Sequence, residues 1–252
     1  MNRITSKDNK LIKLAIKLKE KKYRDKKNLF VIEGEKLLNE AIKSNIEIKY
    51  IFSTKEIENK NYYLIDNNLM SYICNTDNPS PIFAIAEKIN KDFNNLFKNN
   101  IILILDKIKD PGNLGTIIRT SEAFNVDTIL LTKESVDIYN PKVVRSAMGS
   151  LFRINIHYIE NLNILNELDR NNFSIFLTTP YSKQNYYDID YKNRKIVLVI
   201  GNESKGLPLE ILNNYQSIKI PMSKNIESLN VSVATSIILS EIYRQRLIMA
   251  LG

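Results

Sequence analysis

Beyond residue 100 the chain repeats one short theme that few folds accommodate. Aliphatic runs such as 101–105 (IILIL) and 196–200 (IVLVI) are apolar at every position, not at every second one. A strand reads that way when both of its faces are buried, as in a parallel sheet covered by helices. Residues 128–132, 174–178 and 217–220 read as further strands. Helical stretches lie between them at 115–124, 141–150, 161–170 and 208–214, and a long last helix runs from about 231 to 248. This alternation predicts an α/β domain on a mostly parallel sheet. In such sheets ligands bind beyond the carboxyl ends of the strands, so the chemistry is expected in the loops at those ends.

The first half is a smaller α/β unit. Residues 29–33 (LFVIE), 46–52 and 82–87 read as strands. Residues 35–44 read as a helix with Leu37, Leu38, Ala41 and Ile42 inward. The polar, Asn-rich stretch 88–100 suits a boundary. The expected division is a basic helix or arm over 1–27, a small α/β domain over 28–95 and a larger one over 96–252.

Charge separates these parts. Lys and Arg number 36 against 28 Asp and Glu, a net +8. Eleven of the basic residues and three of the acidic ones fall in residues 1–27, and the rest of the chain balances at 25 of each. Residues 6–23 read as one amphipathic helix opened by a Thr5-x-x-Asp8 capping box, with Leu11, Leu14, Ala15 and Leu18 inward and lysines outward. A merely solvated face is the plain alternative, but this density of lysine favours an anionic partner.

Several classes drop out. The longest pure aliphatic runs are five residues, far short of the roughly 20 that a membrane span needs. No apolar stretch of the secretory type comes after the basic N-terminus, so a cytoplasmic location is expected. The single Cys74 excludes an internal disulfide and a cysteine-based zinc site. The single His157, read as a strand-end residue without a role, excludes a His-rich metal site; no metal is expected. Neither G-x-G-x-x-G nor G-K-[ST] occurs, which speaks against hydride-transfer and nucleotide-hydrolysis readings.

With only seven Gly and seven Pro, their clustering is informative. Pro111, Pro180, Pro208 and Pro221 each come after a strand end, and glycines bracket two polar loops. The first loop carries Asp110-Pro-Gly-Asn113-Leu-Gly-Thr-Ile-Ile-Arg119-Thr. The second carries Ile200-Gly-Asn-Glu203-Ser-Lys-Gly206-Leu-Pro. The third carries Ile220-Pro-Met222, then Glu227-Ser228-Leu-Asn230-Val-Ser-Val-Ala234. Together, in this order and at strand ends, the three motifs resemble the SpoU (TrmH-like) family of the SPOUT RNA ribose methyltransferases. The match covers about residues 101–248. Residues 30–44 (FVIEGEKLLNEAIKS) also look like the N-terminal substrate-binding domain of family members that act on 23S ribosomal RNA. One departure is visible in Pro141-Lys-Val-Val-Arg145-Ser-Ala-Met-Gly149-Ser, where the Ser–Ala order is reversed from the family's, which puts a role for Ser146 in doubt.

The resemblance implies S-adenosylmethionine-dependent 2′-O-methylation of RNA, a C-terminal trefoil knot and a homodimer. Matched by motif, Arg119, Asn113, Glu203, Ser228 and Asn230 surround the methyl-transfer centre. Gly201, Asn202, Gly206, Ile220, Met222, Ser228 and Leu229, with Thr178, Thr179 and Pro180 at the neighbouring loop, hold the cofactor. In a dimer, Arg145 or Arg153 of one subunit could reach the other's cleft. Ribosomal RNA is preferred over transfer RNA as substrate because of the separate N-terminal domain; a non-catalytic RNA-binding or assembly protein of the same fold is the reading from another class.

The residue types suit this chemistry. The methyl donor is already activated, so positioning should dominate, and orientation alone can supply roughly 7–11 kcal/mol. Arginine is effectively always protonated, which makes Arg119 a poor direct base. It can grip a phosphate, stabilise a forming alkoxide, or act as a base if a neighbouring phosphate takes its proton, and the sequence leaves these open. Asn113 suits a turn as well as an orienting role. Glu203 could fix its loop or pair with an arginine. Ser228 and Asn230 suit capping of the helix beginning near Val231.

Overall fold

A computed structural model describes residues 2–251 apart from 58–60, 75–77, 91–92, 94, 193 and 203–204. The elements run β1 (Asn2–Arg3), α1 (Lys10–Lys17), α2 (Lys21–Lys27), β2 (Leu29–Glu33), α3 (Glu35–Lys43), β3 (Ile48–Ser53), β4 (Tyr63–Leu64), α4 (Asn67–Cys74) and β5 (Ile82–Glu87). Next come β6 (Ile101–Leu105), α5 (Pro111–Ala123), β7 (Thr128–Thr132), α6 (Pro141–Ser146), α7 (Ser150–Arg153), β8 (Asn155–Ile159), α8 (Ile164–Arg170) and β9 (Phe173–Thr178). The last are β10 (Lys195–Ile200), α9 (Leu209–Leu212), β11 (Gln216–Ile218) and α10 (Val231–Leu251). They form two compact units. The first takes residues 1–90 and 137–153, the second 91–136 and 154–252.

The first unit holds a mixed sheet in the order β1-β4-β3-β5-β2, in which β2 and β3 run antiparallel to β5. Alternation along the strands sends Val31, Phe52, Phe83 and Ile85 into one core with Ile12, Ala15 and Leu18 of the basic leader and with Leu69, Met70 and Ile73 of α4. The leader is thus part of this core. It is not the single helix that its spacing suggested. α1 stops at Lys17, and α2 restarts at Lys21. At the break Glu20 takes an extended conformation, and the Arg24 guanidinium satisfies the carbonyls of Leu18 and Lys19 at 2.9 and 2.6 Å. The N-cap is Asn9, whose side chain accepts from Leu11 N, in place of the capping box expected at Thr5.

Arg24 is the leader's one buried cation. Its Nε and Nη2 donate to Asp137 Oδ2 at 2.9 and 2.6 Å, and the two side chains are 2% and 8% exposed. Asp137 Oδ1 accepts from Tyr139 N; the Tyr139 ring lies 4.9 Å from that of Phe30, and its hydroxyl bonds both backbone groups of Ile89. The segment 137–153 is held in the first unit by these contacts. The helix expected over 141–150 is two helices, since Met148 and Gly149 both take positive φ.

The second unit holds a wholly parallel sheet in the order β11-β9-β10-β6-β7-β8. Ile102, Ile104, Val197 and Val199 face a core with Leu165 and Leu168 of α8, and Leu103, Leu105, Leu198 and Ile200 are equally buried on the other face. β8 was not among the expected strands. It is an edge strand whose positions are mostly half-buried or exposed, so it lacks the continuous apolar run. His157 sits within it, not at its end, with its ring 5.0 Å from Phe93. The last strand is shorter than expected, 216–218. The last helix starts at the expected Val231 and is tied to the chain before β10: Gln245 accepts from Tyr191 N and donates to Ile189 O, and Arg246 donates to the carbonyls of Tyr191 and Arg194.

Replacing Arg24 by Met should destabilise the protein by about 3–5 kcal/mol, because Asp137 would be left buried and unpaired. Urea titration followed by circular dichroism measures this; a loss under 1 kcal/mol, the range of a surface pair, would mean that the ion pair does not hold the segment.

Candidate active site at the carboxyl edge of the parallel sheet

Because all six strands of the second sheet run the same way, their carboxyl ends share one edge. From β6 the chain moves to β7 and β8 on one side, then returns to build β9, β10 and β11 on the other. The switch point therefore lies between β6 and β10, where an open α/β sheet leaves a crevice. A cavity of about 370 Å³ sits there, lined by Asp106, Lys107, Lys109, Glu134 and the loop after β10.

The first motif begins a helix sooner than expected. Asp110 caps α5 by accepting from Asn113 N at 2.7 Å, and Pro111 occupies the first turn, where its missing N–H costs nothing. Asn113 is thus a residue of a helix and not of a loop. Across from it, Asn230 caps α10, its Oδ1 accepting from Ser232 N at 2.9 Å. The free Nδ2 of the same Asn230 donates to Asn113 Oδ1 at 2.9 Å. The two helices then run side by side, with Ser236 Oγ 3.2 Å from Thr120 Oγ1 and the rings of Phe124 and Tyr243 5.8 Å apart. Two helix N-termini, each with unsatisfied N–H groups and a positive dipole end, are locked together at this amide pair. Arg119, in the third turn of α5, is exposed and makes no hydrogen bond or ion pair to a described residue. Ser228 is exposed and likewise without a described partner, so of the expected capping pair only Asn230 caps.

The second motif is a hairpin. Gly206 N donates to Asn202 O at 2.9 Å, folding the loop back on itself. A Cβ on Gly201 would stand 2.6–2.8 Å from the backbone of Gly206 and Leu207, so only glycine fits. Gly206 has open space but φ +65°, and is glycine for its backbone. Asn202 is committed to this architecture: its Nδ2 donates to Lys107 O at 2.9 Å and its Oδ1 accepts from Lys205 N. Glu203 lies outside the described residues.

The remaining expected residues border the same edge. Thr178 donates to Val199 O, Thr179 N donates to Ile218 O, and Pro180 is exposed beside them. Ile220, Met222 and Leu229 carry half-buried apolar side chains, and their backbone groups make no hydrogen bond to a described residue. Apolar surface beside open backbone donors and acceptors suits an adenosine and an amino-acid head group, so these residues fit the expected cofactor. Arg145 and Arg153 are engaged within the first unit, with Glu33 at 3.6 Å and Glu40 at 2.9 Å.

Two residues escaped the sequence reading. Asp106 comes directly after β6 and is buried; burial pushes its carboxyl above the usual range, partly opposed by a hydrogen bond from Thr132. The signal was available, since an acid immediately after an all-aliphatic strand is unusual. Lys107 adopts φ +57°, which no sequence pattern announces for a lysine. Among the described residues no group of His, Cys, Asp and Glu could hold a metal, and no helix is long and apolar enough to cross a membrane.

Comparisons with known proteins bear on this edge. The SpoU rRNA Methylase family profile matches residues 100–240, and that of an MRM3-like substrate binding domain matches residues 9–84. The chain is 31% identical over 246 residues to the 23S rRNA (guanosine(2553)-2′-O)-methyltransferase RlmP of Bacillus subtilis, covering 94% of this chain and 98% of that one. Among solved structures it is similar to the AdoMet-bound rRNA methyltransferase from Sinorhizobium meliloti, with TM-score 0.86, 30% identity and coverage of 96% and 97%. It is also similar to a structure described as an RNA 2′-O ribose methyltransferase, with TM-score 0.83, 27% identity and coverage of 97% and 99%.

Gly201→Ala should cost about 1–3 kcal/mol by overpacking the hairpin, and Gly206→Ala about 1–2 kcal/mol through its left-handed backbone. Urea titration of the two variants checks both; an unperturbed Gly201→Ala would contradict the tight hairpin.

Proposed function

Since the chain belongs to the SpoU rRNA methylase family, we propose that it methylates a ribose 2′-hydroxyl of 23S ribosomal RNA with S-adenosylmethionine as donor. The observation that carries this reading is the Asn113–Asn230 pair, which joins two motif helices by their N-termini at the sheet's carboxyl edge, with an unpartnered Arg119 on one of them. When bound, the cofactor supplies an activated methyl group. Ile220, Met222 and Leu229 would hold its adenine and methionine parts, with Gly201 letting the neighbouring hairpin close. The expected trefoil knot fits here too: the chain between β9 and β10 is hydrogen-bonded both to Lys219, just after β11, and to α10.

Arg119 acts as a cation. It remains charged, and no described carboxylate neutralises it. It stabilises the forming 2′-alkoxide or the adjoining phosphate, while the joined helix ends add positive potential. Asn113 and Asn230 position the two helices. Ser228 completes the described part of the motif set at the same edge.

The basic leader captures RNA. Its lysines 10, 17, 22, 26 and 27 are exposed, whereas Ile12, Ala15 and Leu18 are core, so charge changes test this role better than truncation does. Ribosomal RNA is favoured over transfer RNA because a substrate-binding domain match covers most of the first unit and the full-length relative named above acts on 23S rRNA. α10 leaves Val233, Leu247 and Ile248 exposed, and a homodimer covering part of this helix is the natural use of that surface.

Arg119→Ala should lower kcat by about 10²–10³-fold, the range for losing one transition-state donor, and keep S-adenosylmethionine affinity by calorimetry. Near-normal turnover would remove the role, and no cofactor binding by the parent protein at millimolar concentration would favour a non-catalytic RNA-binding protein. Changing Lys10, Lys17 and Lys22 to Gln should reduce the salt slope of RNA binding by about 2, at roughly 0.7–0.9 per phosphate contact; an unchanged slope would place RNA elsewhere.

A further inference from the structure

Lys107 is held in a conformation that its own side chain disfavours. At φ +57° a residue with a Cβ is strained relative to glycine. The surrounding bonds enforce it. Lys107 N donates to Thr132 Oγ1 at 2.9 Å and its carbonyl accepts from Asn202 Nδ2 at 2.9 Å. On its other side Ile108 N donates to Ser135 Oγ and Ile108 O accepts from Val136 N. Glycine would satisfy every one of these backbone bonds without strain. The lysine side chain is therefore retained at a cost in stability, and strain of this kind gathers where the side chain serves a function.

What the side chain gains is a place at the mouth of the switch-point cavity. There its ammonium lies 2.9 Å from Glu134, in a pair with 44% and 62% of the two side chains exposed. Lys109 reaches the same loop, its Nζ donating to Glu134 O at 2.5 Å, and Lys205 lines the facing hairpin. Three lysines thus line one cavity. Against them, among the described lining residues, stand the carboxylates of Glu134, which is solvated and paired with Lys107, and of the buried Asp106. Among the described lining residues the lysines outnumber the acids, three to two, and the pair with Glu134 is exposed enough to open to a better anion.

We propose that this cavity is a phosphate-binding subsite for the RNA strand, with Lys107, Lys109 and Lys205 as its cations. It would hold a backbone phosphate flanking the methylated ribose, on the β6 side of the 201–206 hairpin. The proposal rests on the reading that the chain acts on RNA. The cofactor's carboxylate is the other anion that could reach this edge, and the test separates the two.

The test uses full-length protein with Lys107 changed to Gly, which fits the backbone and removes the ammonium. Lys107→Asn is a second variant, because asparagine tolerates the left-handed region, and Lys107→Arg is the rescue. Methyl transfer to unmodified 23S ribosomal RNA, RNA binding as a function of salt, calorimetry with S-adenosylmethionine and thermal melting are the readouts. For Lys107→Gly and Lys107→Asn the KM for RNA should rise about tenfold, the loss expected for one charge-assisted contact. The salt slope should fall by about 0.7–0.9, and cofactor affinity should hold. Lys107→Gly should melt at or above the parent's temperature, and Lys107→Arg should restore the KM. An unchanged KM and salt slope would overturn the proposal. So would weaker cofactor binding with an unaltered RNA KM, which would give the cavity to the cofactor carboxylate. If the parent protein methylates no RNA, the functional reading fails, while the salt slope of binding alone still decides the subsite.

Discussion

Five N–H donors of an arginine need partners when water is excluded, and in this protein they organise the first unit. Arg24 spends two contacts on Asp137 and two on the carbonyls of Leu18 and Lys19. A buried ion pair is poor evidence for stability in itself, because both charges must be desolvated. Its value here is geometric. The carbonyl contacts bridge the turn between α1 and α2, and the carboxylate contact ties down the start of the segment 137–153. Tyr139 then reaches Phe30 and Ile89. Without this guanidinium the carbonyls at the turn and the carboxylate of the incoming segment would lose their shared partner.

The second unit depends on a different economy of polar groups. Its strands are buried on both faces, so polar function is confined to their ends. There, the motif asparagines have structural duties that also shape the site. Asn230 caps one helix and reaches for the next; Asn202 closes a hairpin and grips the neighbouring loop. Capping and site-building are the same act, because a capped N-terminus is also a cluster of oriented donors. Arg119 differs from them: it has no structural partner among the described residues, which leaves its charge available.

The parts legible in the sequence were those written as periodicity. The aliphatic runs 101–105, 128–132 and 196–200 became strands at the expected residues, and the start of α10 at Val231 agrees with Asn230 as a capping residue. The motif resemblance gave the family, now met by profile matches over both halves. What stayed hidden lay in long-range pairing. Nothing local says that Arg24 faces inward when the lysines around it face outward, since its partner is 113 residues away. β8 was missed because an edge strand need not be apolar. The break in the helix at 148–149 depends on two positive φ angles that composition does not encode, and Lys107 hides its conformation for the same reason.

The first unit is assembled from two stretches of chain, and that sets an order in time. As the protein emerges from the ribosome, residues 1–90 appear first, but their buried arginine has no counter-charge until residue 137 arrives. By then β6, α5 and β7 of the second unit have already emerged. Synthesis normally lets an N-terminal domain fold before the later domains have been made. Here the basic half is completed only after the first strands of the parallel sheet have been made, so the two units mature in overlapping and not in successive order.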